Sequence, residues 1–208
     1  MKKSGPTLWG RASSVNVQKV MWALSELGVE HTRIDAGWTY GQTDTDAFAA
    51  MNPTRRVPVW QEEGLTLWES HAIVRHLATR HRGAIAHDAL ADQWMEFIAT
   101  TLQPPFIGVF YQRVRLAADK RSDAKLAAHA EALNAALAVL DGQLARTDWL
   151  NGTAFSTAEI AAGPPLHRVY DVDWPRADFP AVERWLDTLR ARPAYRETVM
   201  TSYEELRA

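Results

Sequence analysis

The stretch RVPVWQEEGLTLWES, residues 56–70, constrains the fold of this chain more than any other. Two short apolar runs flank Glu62, Glu63 and Gly64, the pattern of a β-hairpin closed by a tight turn. Strands in a hairpin need backbone donors, and Pro58 interrupts the first run without one. Pro58 must therefore occupy an edge, a bulge or a cis bond. Directly after the hairpin, Ser70 opens the apolar-periodic run HAIVRHLATRH, which predicts a helix.

Upstream, TLWG (7–10) reads as a short strand, and Val17, Val20, Met21, Leu24 and Leu27 recur at helical spacing until Gly28 supplies a C-terminal stop. VEHTRIDA (29–36) has a less regular strand pattern, and AGWTYGQTDTD (36–46) reads as an exposed loop. Strand, helix, strand, hairpin and helix in that order describe a small α/β unit with a mixed sheet over residues 1–80. From Ala91 to residue 208 the pattern is helical, strongest in LAAHAEALNAALAVLDGQLAR (126–146), whose alanines and leucines favour an amphipathic helix. Residues 81–90 are the expected linker, too short and too apolar for a free tether, so the two halves are expected to pack on each other.

Several function classes lose support. The formal net charge is −2, and the basic run TRHR (79–82) reads as a solvated helix end, so no nucleic-acid partner is expected. No run of about 18 apolar residues predicts a membrane span, and the first ten residues lack an apolar signal-peptide core, which points to a soluble cytoplasmic protein. Cysteine is absent, so any thiol chemistry must use a ligand's sulfur. G-x-S-x-G, G-x-G-x-x-G, phosphate-loop and H-E-x-x-H patterns are all missing. His71, His76 and His81 recur every five residues, which turns successive rings by roughly 140° on a helix. They read as exposed helix histidines rather than ligands, and no metal is expected.

STAEI (156–160) fits a capping box, in which Ser156 and Glu159 satisfy each other's backbone donors. Glu69 and Ser70 allow two readings. Ser70 can be a plain N-cap, or the pair can form an ammonium and anion site at the positive end of the helix. Ser13 and Ser14, just ahead of the first helix, pose the same choice between capping and chemistry.

Taken together, SSVNVQKV after the first strand, NPTRRVPV, LWESHAIVRHL, LNGTAFSTAEIAA and FPAVERWLDTLRARPAYRE strongly resemble the glutathione S-transferase family over nearly the whole length. SVNVQKV looks most like the serine-type phi and theta classes of bacterial-looking members. The resemblance implies a thioredoxin-like N-terminal α/β domain, an all-α C-terminal domain, a homodimer, and glutathione as co-substrate. It implies that Ser14 donates its hydroxyl to the glutathione sulfur, with Ser13 one place outside the motif. Pro58 would be the cis-proline that presents the Val57 backbone to the cysteinyl part as an added strand. Glu69 and Ser70 would hold the γ-glutamyl end, and Arg56 would approach the glycyl carboxylate.

The first long helix of the second half would line an apolar pocket for a small hydrophobic electrophile, with Trp94, Phe106, Phe110 and Tyr111 as candidates and Phe97 a further aromatic on the same stretch. In one respect the chain departs from phi-like members, since GQTDTDAFAAMNP carries Asp44 and Asp46 where those members offer basic residues. Arg56, Trp38 or Gln42 would substitute. The resemblance favours conjugation of glutathione to electrophiles. Related alternatives are glutathione-dependent isomerisation, dehalogenation or ether cleavage, because the paired serines also look like the zeta class, or a non-catalytic binding module on the same fold.

Overall fold

The computed structural model describes residues 5–208, so the first four residues of the expected α/β unit lie outside the description. Four short strands, β1 (Thr7–Trp9), β2 (Thr32–Ile34), β3 (Val59–Glu62) and β4 (Leu65–Trp68), form one mixed sheet in the order β2-β1-β3-β4. β1 runs parallel to β2 and antiparallel to β3, with Trp9 opposite both Ile34 and Val59. The hairpin closes Glu62 on Leu65. Glu63 and Gly64 both take positive φ, 44° and 86°, as a two-residue turn matched to the twist of its strands requires. Pro58 lies just before β3, and the Val57–Pro58 bond is cis.

Helix α1 (Val15–Leu27) connects β1 to β2 and ends on Gly28 at φ 63°, whose N–H caps the carbonyls of Leu24 and Ser25. The segment expected to be a loop contains a 3₁₀ turn at Trp38–Tyr40 and a short helix, α2 (Asp46–Met51). Thr45 caps α2 by accepting from the Phe48 N–H, a signal that merges with the surrounding Thr/Asp-rich stretch. Helix α3 (Ser70–Arg80) follows the hairpin.

The second half is helical: α4 (Ala89–Phe97), α5 (Gln103–Phe110), α6 (Asp123–Leu144), α7 (Thr157–Asp171), α8 (Pro180–Arg190) and α9 (Pro193–Thr198). α4 runs into α5 through a π-helical turn at Ile98–Leu102. Pro104 and Pro105 follow that turn and lack the N–H groups that regular helical bonds would use there. A second π turn, Tyr111–Arg115, widens the end of α5, and Leu116 N–H reaches the Tyr111 carbonyl at 3.0 Å. The capping box forms at the start of α7, with the Glu159 carboxylate accepting from the N–H groups of Ser156 and Leu150 at 2.9 and 2.7 Å.

The halves pack through α1 and α3 against α7, and through α1 against α9. One continuous core runs through Leu8, Trp22 and Trp60 of the first half and Ile160, Leu189 and Tyr195 of the second. Glu26 of α1 accepts from Trp22 Nε1 and from both Nε and Nη2 of Arg192 at 2.7 Å, a bidentate tie across the junction. Residues between α3 and α4 are pinned as well, because Ala86 exchanges backbone hydrogen bonds with the chain at Phe155 and Thr157.

Candidate functional site

A cleft of about 570 Å³ opens between the two halves. Its first wall comes from the loop after β1, the 3₁₀ turn and the segment before β3, and its second from α5 and the π turn that follows. Gly10 allows the first wall to close up: at φ 150° it has no side chain, and a Cβ there would fall 2.4 Å from Val17 and 3.2 Å from Val57. The loop after Gly10 therefore lies directly against the segment that carries Val57.

Ser13 and Ser14 part company on that loop. Ser13 is 4% exposed; its hydroxyl donates to the Glu205 carboxylate and its carbonyl accepts from Arg168 Nη2. Ser14 is the N-cap residue of α1 in extended geometry (φ −83°, ψ 121°), yet its hydroxyl makes no capping bond and no other hydrogen bond among the described residues. It lines the cleft beside Val15 and Asn16. Of the two alternatives, the side-chain cap is not made, and an uncommitted hydroxyl stands at the positive end of a helix.

Opposite it, Arg56 and Val57 line the same cleft. Buried Asn52 braces this segment, donating to the Arg56 carbonyl at 2.8 Å and accepting from the Thr54 N–H at 2.9 Å. No backbone hydrogen bond among the described residues engages Val57, so its amide edge is open to an added strand. Phe106, Phe110 and Tyr111 line the helical wall. Trp94 does not; it packs edge-on against Phe97, which likewise stays off the cleft, with ring centroids 5.5 Å apart.

Glu69 and Ser70 line a second cleft, of about 420 Å³, that meets the first at Asn16. Glu69, not Ser70, is the N-cap residue of α3, at φ 71° and without a capping bond from its side chain. Ser70 is thus the first helical residue, and the plain N-cap reading falls. Lys19 lies fully buried behind the pair, donating to Gln103 Oε1 at 2.7 Å and lying 3.0 Å from His71 Nε2. Burial pushes the Lys19 ammonium down to about 7, with Glu69 opposing. Burial, reinforced by Lys19, holds His71 well below its usual range, so a neutral ring accepts the lysine's hydrogen bond. The expectation of exposed helix histidines therefore fails at His71, which faces α1, and at His76, which bonds the buried Glu62 carboxylate. No group of three or more potential metal ligands is assembled among the described residues.

Five arginines line the first cleft, namely Arg11, Arg55, Arg56, Arg115 and Arg168. Arg55 answers the acidic stretch, lying 3.6 Å from Asp46 and donating to the carbonyls of Thr43 and Thr45. Neither Asp44 nor Asp46 lines the cleft, and neither does Gln42, whereas Trp38 does. Arg168 is buried between the rings of Phe110 and Tyr203, and burial pushes it down to about 10. The C-terminal segment closes this end: the Glu205 carboxylate accepts from Ser13 and Tyr40, its carbonyl accepts from Trp38 Nε1 at 3.3 Å, and Leu206 lines the cleft.

Comparison with known proteins agrees with this geometry. Residues 4–79 match the model of the glutathione S-transferase N-terminal domain, and residues 123–188 match that of its C-terminal domain. Glutathione S-transferase GstB of Escherichia coli K12 is 36% identical over 202 residues, covering 93% of this chain and 97% of that protein. Glutathione S-transferase 4 of Zea mays is 29% identical, with 90% and 88% covered. A theta class glutathione S-transferase from Xanthomonas axonopodis pv. citri, solved with glutathione bound, superposes with a TM-score of 0.92 at 36% identity, covering 96% of this chain and 99% of that one. The chain belongs to the glutathione S-transferase family.

Proposed function

We propose that this glutathione transferase conjugates the thiolate of glutathione to small hydrophobic electrophiles, with the Ser14 hydroxyl as the thiolate's partner. The observation that carries the reading is the division between two adjacent serines: Ser13 is consumed by Glu205, while Ser14 keeps an unbonded hydroxyl on the cleft wall. Glutathione would lie along Val57 as an added strand, its γ-glutamyl ammonium at Glu69 and its γ-glutamyl carboxylate at the hydroxyl and N–H of Ser70. Arg56, with Arg55 beside it, would meet the glycyl carboxylate. Residues 1–80 would bind glutathione and residues 91–208 the electrophile, with 81–90 as the linker, in a cytoplasmic homodimer.

A hydrogen bond to a charged group is worth roughly 1.5–3 kcal/mol, and one pKa unit corresponds to about 1.4 kcal/mol. The Ser14 hydroxyl and the amino-terminal end of α1 would together lower a thiol near ~8.5 by about one to two units. The sulfur then attacks carbon, a C–S bond forms, and the leaving group departs with its electron pair. Ser14 donates a hydrogen bond throughout and forms no covalent bond.

The test is the pH titration of bound glutathione, followed by thiolate absorbance near the ultraviolet edge. Ser14→Ala is expected to raise the bound thiol by about one to two units with little change in affinity. A curve that does not move removes Ser14 from the role. An equal or larger rate loss in Ser13→Ala than in Ser14→Ala would transfer it to the neighbour.

A further inference from the structure

The helical wall of the cleft was expected to be apolar, yet Arg115 projects from the π turn beside Tyr111, and Arg11 approaches from the loop after β1. Neither guanidinium has a hydrogen bond or ion pair with a carboxylate among the described residues. Arg11 Nε and Arg115 Nη1 are buried without a partner. The Arg115 guanidinium carbon lies over the Trp38 ring, 3.8 Å from its centroid, a contact that positions the group and supplies no hydrogen-bond acceptor. Burial and the neighbouring Arg115 both lower Arg11, and the buried Arg168 adds a third positive charge to these two half-buried ones. Glu205 is the carboxylate whose charge acts on Arg11, and its two oxygens accept from Ser13 and Tyr40 rather than from a guanidinium.

Buried guanidinium donors without acceptors are unfavourable in an empty site and become favourable when an anion enters. A planar fork of N–H groups matches a carboxylate in particular. A cleft with one sign of charge also concentrates small anions, here against a net charge of −2 for the whole chain. Arg55 and Arg56 sit beside Val57 and suffice for the glycyl end of glutathione, whereas Arg115 belongs to the helical wall with Phe106 and Phe110. We propose that Arg11 and Arg115 hold a carboxylate on the electrophile, so that the preferred co-substrate is a small carboxylic acid with a short apolar or aromatic body.

The inference rests on the glutathione-transferase reading, and the experiment separates the two. Glutathione-loaded protein is titrated calorimetrically with 3-nitrobenzoate and with 3-nitrobenzamide, which match in shape, differ in charge and lack a leaving group. The benzoate is expected to bind at least tenfold more tightly, and Arg115→Met and Arg11→Met should each remove most of that ratio, with Arg115→Lys retaining part of it. Variants are first checked for native circular dichroism and melting.

A benzoate ratio of one or below, or no binding of either compound, overturns the proposal. So does an Arg115→Met variant that binds glutathione tenfold more weakly while keeping the benzoate ratio, since the arginine would then serve glutathione. Failure of glutathione itself to bind would sink the transferase reading, and the benzoate ratio would still be measured on the unloaded protein. With 4-chloro-3-nitrobenzoate and 4-chloro-3-nitrobenzamide, thiolate attack forms the C–S bond and expels chloride. The rate ratio, normalised to free glutathione, should favour the acid, and a ratio below one would count against the proposal.

Discussion

Replacing Lys19 by Met tests whether a buried ammonium at the junction of α1, α3 and α5 sets the pH dependence of stability. Lys19 is fully buried; its side chain bonds His71 and Gln103, the charge of Glu69 just before α3 favours its protonated form, and Arg75 on α3 acts on His71. Burial lowers its pKa from 10.5 to about 7. Between those values the unfolded chain holds a proton that the folded chain lacks, so stability rises with pH across the window and the penalty is complete below about 7. At about 1.4 kcal/mol per unit, the full span has a ceiling of about 5 kcal/mol. The assay is urea unfolding of wild type and Lys19→Met at one protein concentration, from pH 6.5 to 9.5. Titrations of groups that Lys19 does not touch cancel in the difference between the two proteins, and burial, the larger cause, keeps His71 low in both. The wild type should gain on the variant by up to about 1.4 kcal/mol per pH unit in mid-window and gain nothing below it. The loss of partners for His71 and Gln103 in the variant shifts the whole difference by a constant and leaves its slope intact. Parallel curves would refute the argument and mean that Lys19 keeps an ordinary proton affinity.

Two further substitutions probe the rest of the site and the frame that holds it. Ser70→Ala removes a hydroxyl at the start of α3 and should weaken glutathione binding by roughly tenfold, on the order of 1.4 kcal/mol, with a smaller effect on the chemical step; unchanged affinity by calorimetry would leave Ser70 without a ligand role. Gly163→Ala would place a Cβ 2.6 Å from the Trp22 ring and 3.0 Å from Tyr195. Overpacking of that kind costs about 1–3 kcal/mol, so the melting temperature should fall while the glutathione affinity of the remaining folded protein is kept.

The parts of this molecule that could be read from the chain are those whose cause is local. Two apolar runs around Glu63–Gly64, a proline inside the first run, a glycine after Leu27 and the Ser156–Glu159 spacing each carry their physical reason within a few residues, and each recurs in the structure. Helix α2 escaped because six residues with one threonine cap do not stand out from a loop rich in the same residue types. His71 was misread because the partner that buries it, Lys19, comes from another helix. Trp94 and Phe97 share a helical stretch with the cleft-lining aromatics, but the π turn and the prolines after them change the phase before Phe106. The arginine-lined wall was the least legible feature, since residues 11, 55, 56, 115 and 168 form no cluster in the sequence and meet only when the two halves close.

That convergence also explains why the C-terminal segment matters to a site built mostly from residues far from it. Glu205 is the carboxylate whose charge favours the protonated Arg11, yet it makes no ion pair with that guanidinium among the described residues. Its two oxygens are instead occupied by Ser13 and Tyr40, and its carbonyl by Trp38, the ring on which Arg115 lies. The same contacts therefore fix Ser13 in place, steady the stacking surface of Arg115 and leave the Arg11 guanidinium without a carboxylate bonded to it among the described residues. Arg168 completes the arrangement from the other side by donating to the Ser13 carbonyl, which anchors the turn that leads into Ser14. Of two adjacent serines, one is used to hold the wall together, and that is what leaves the other free to face a ligand.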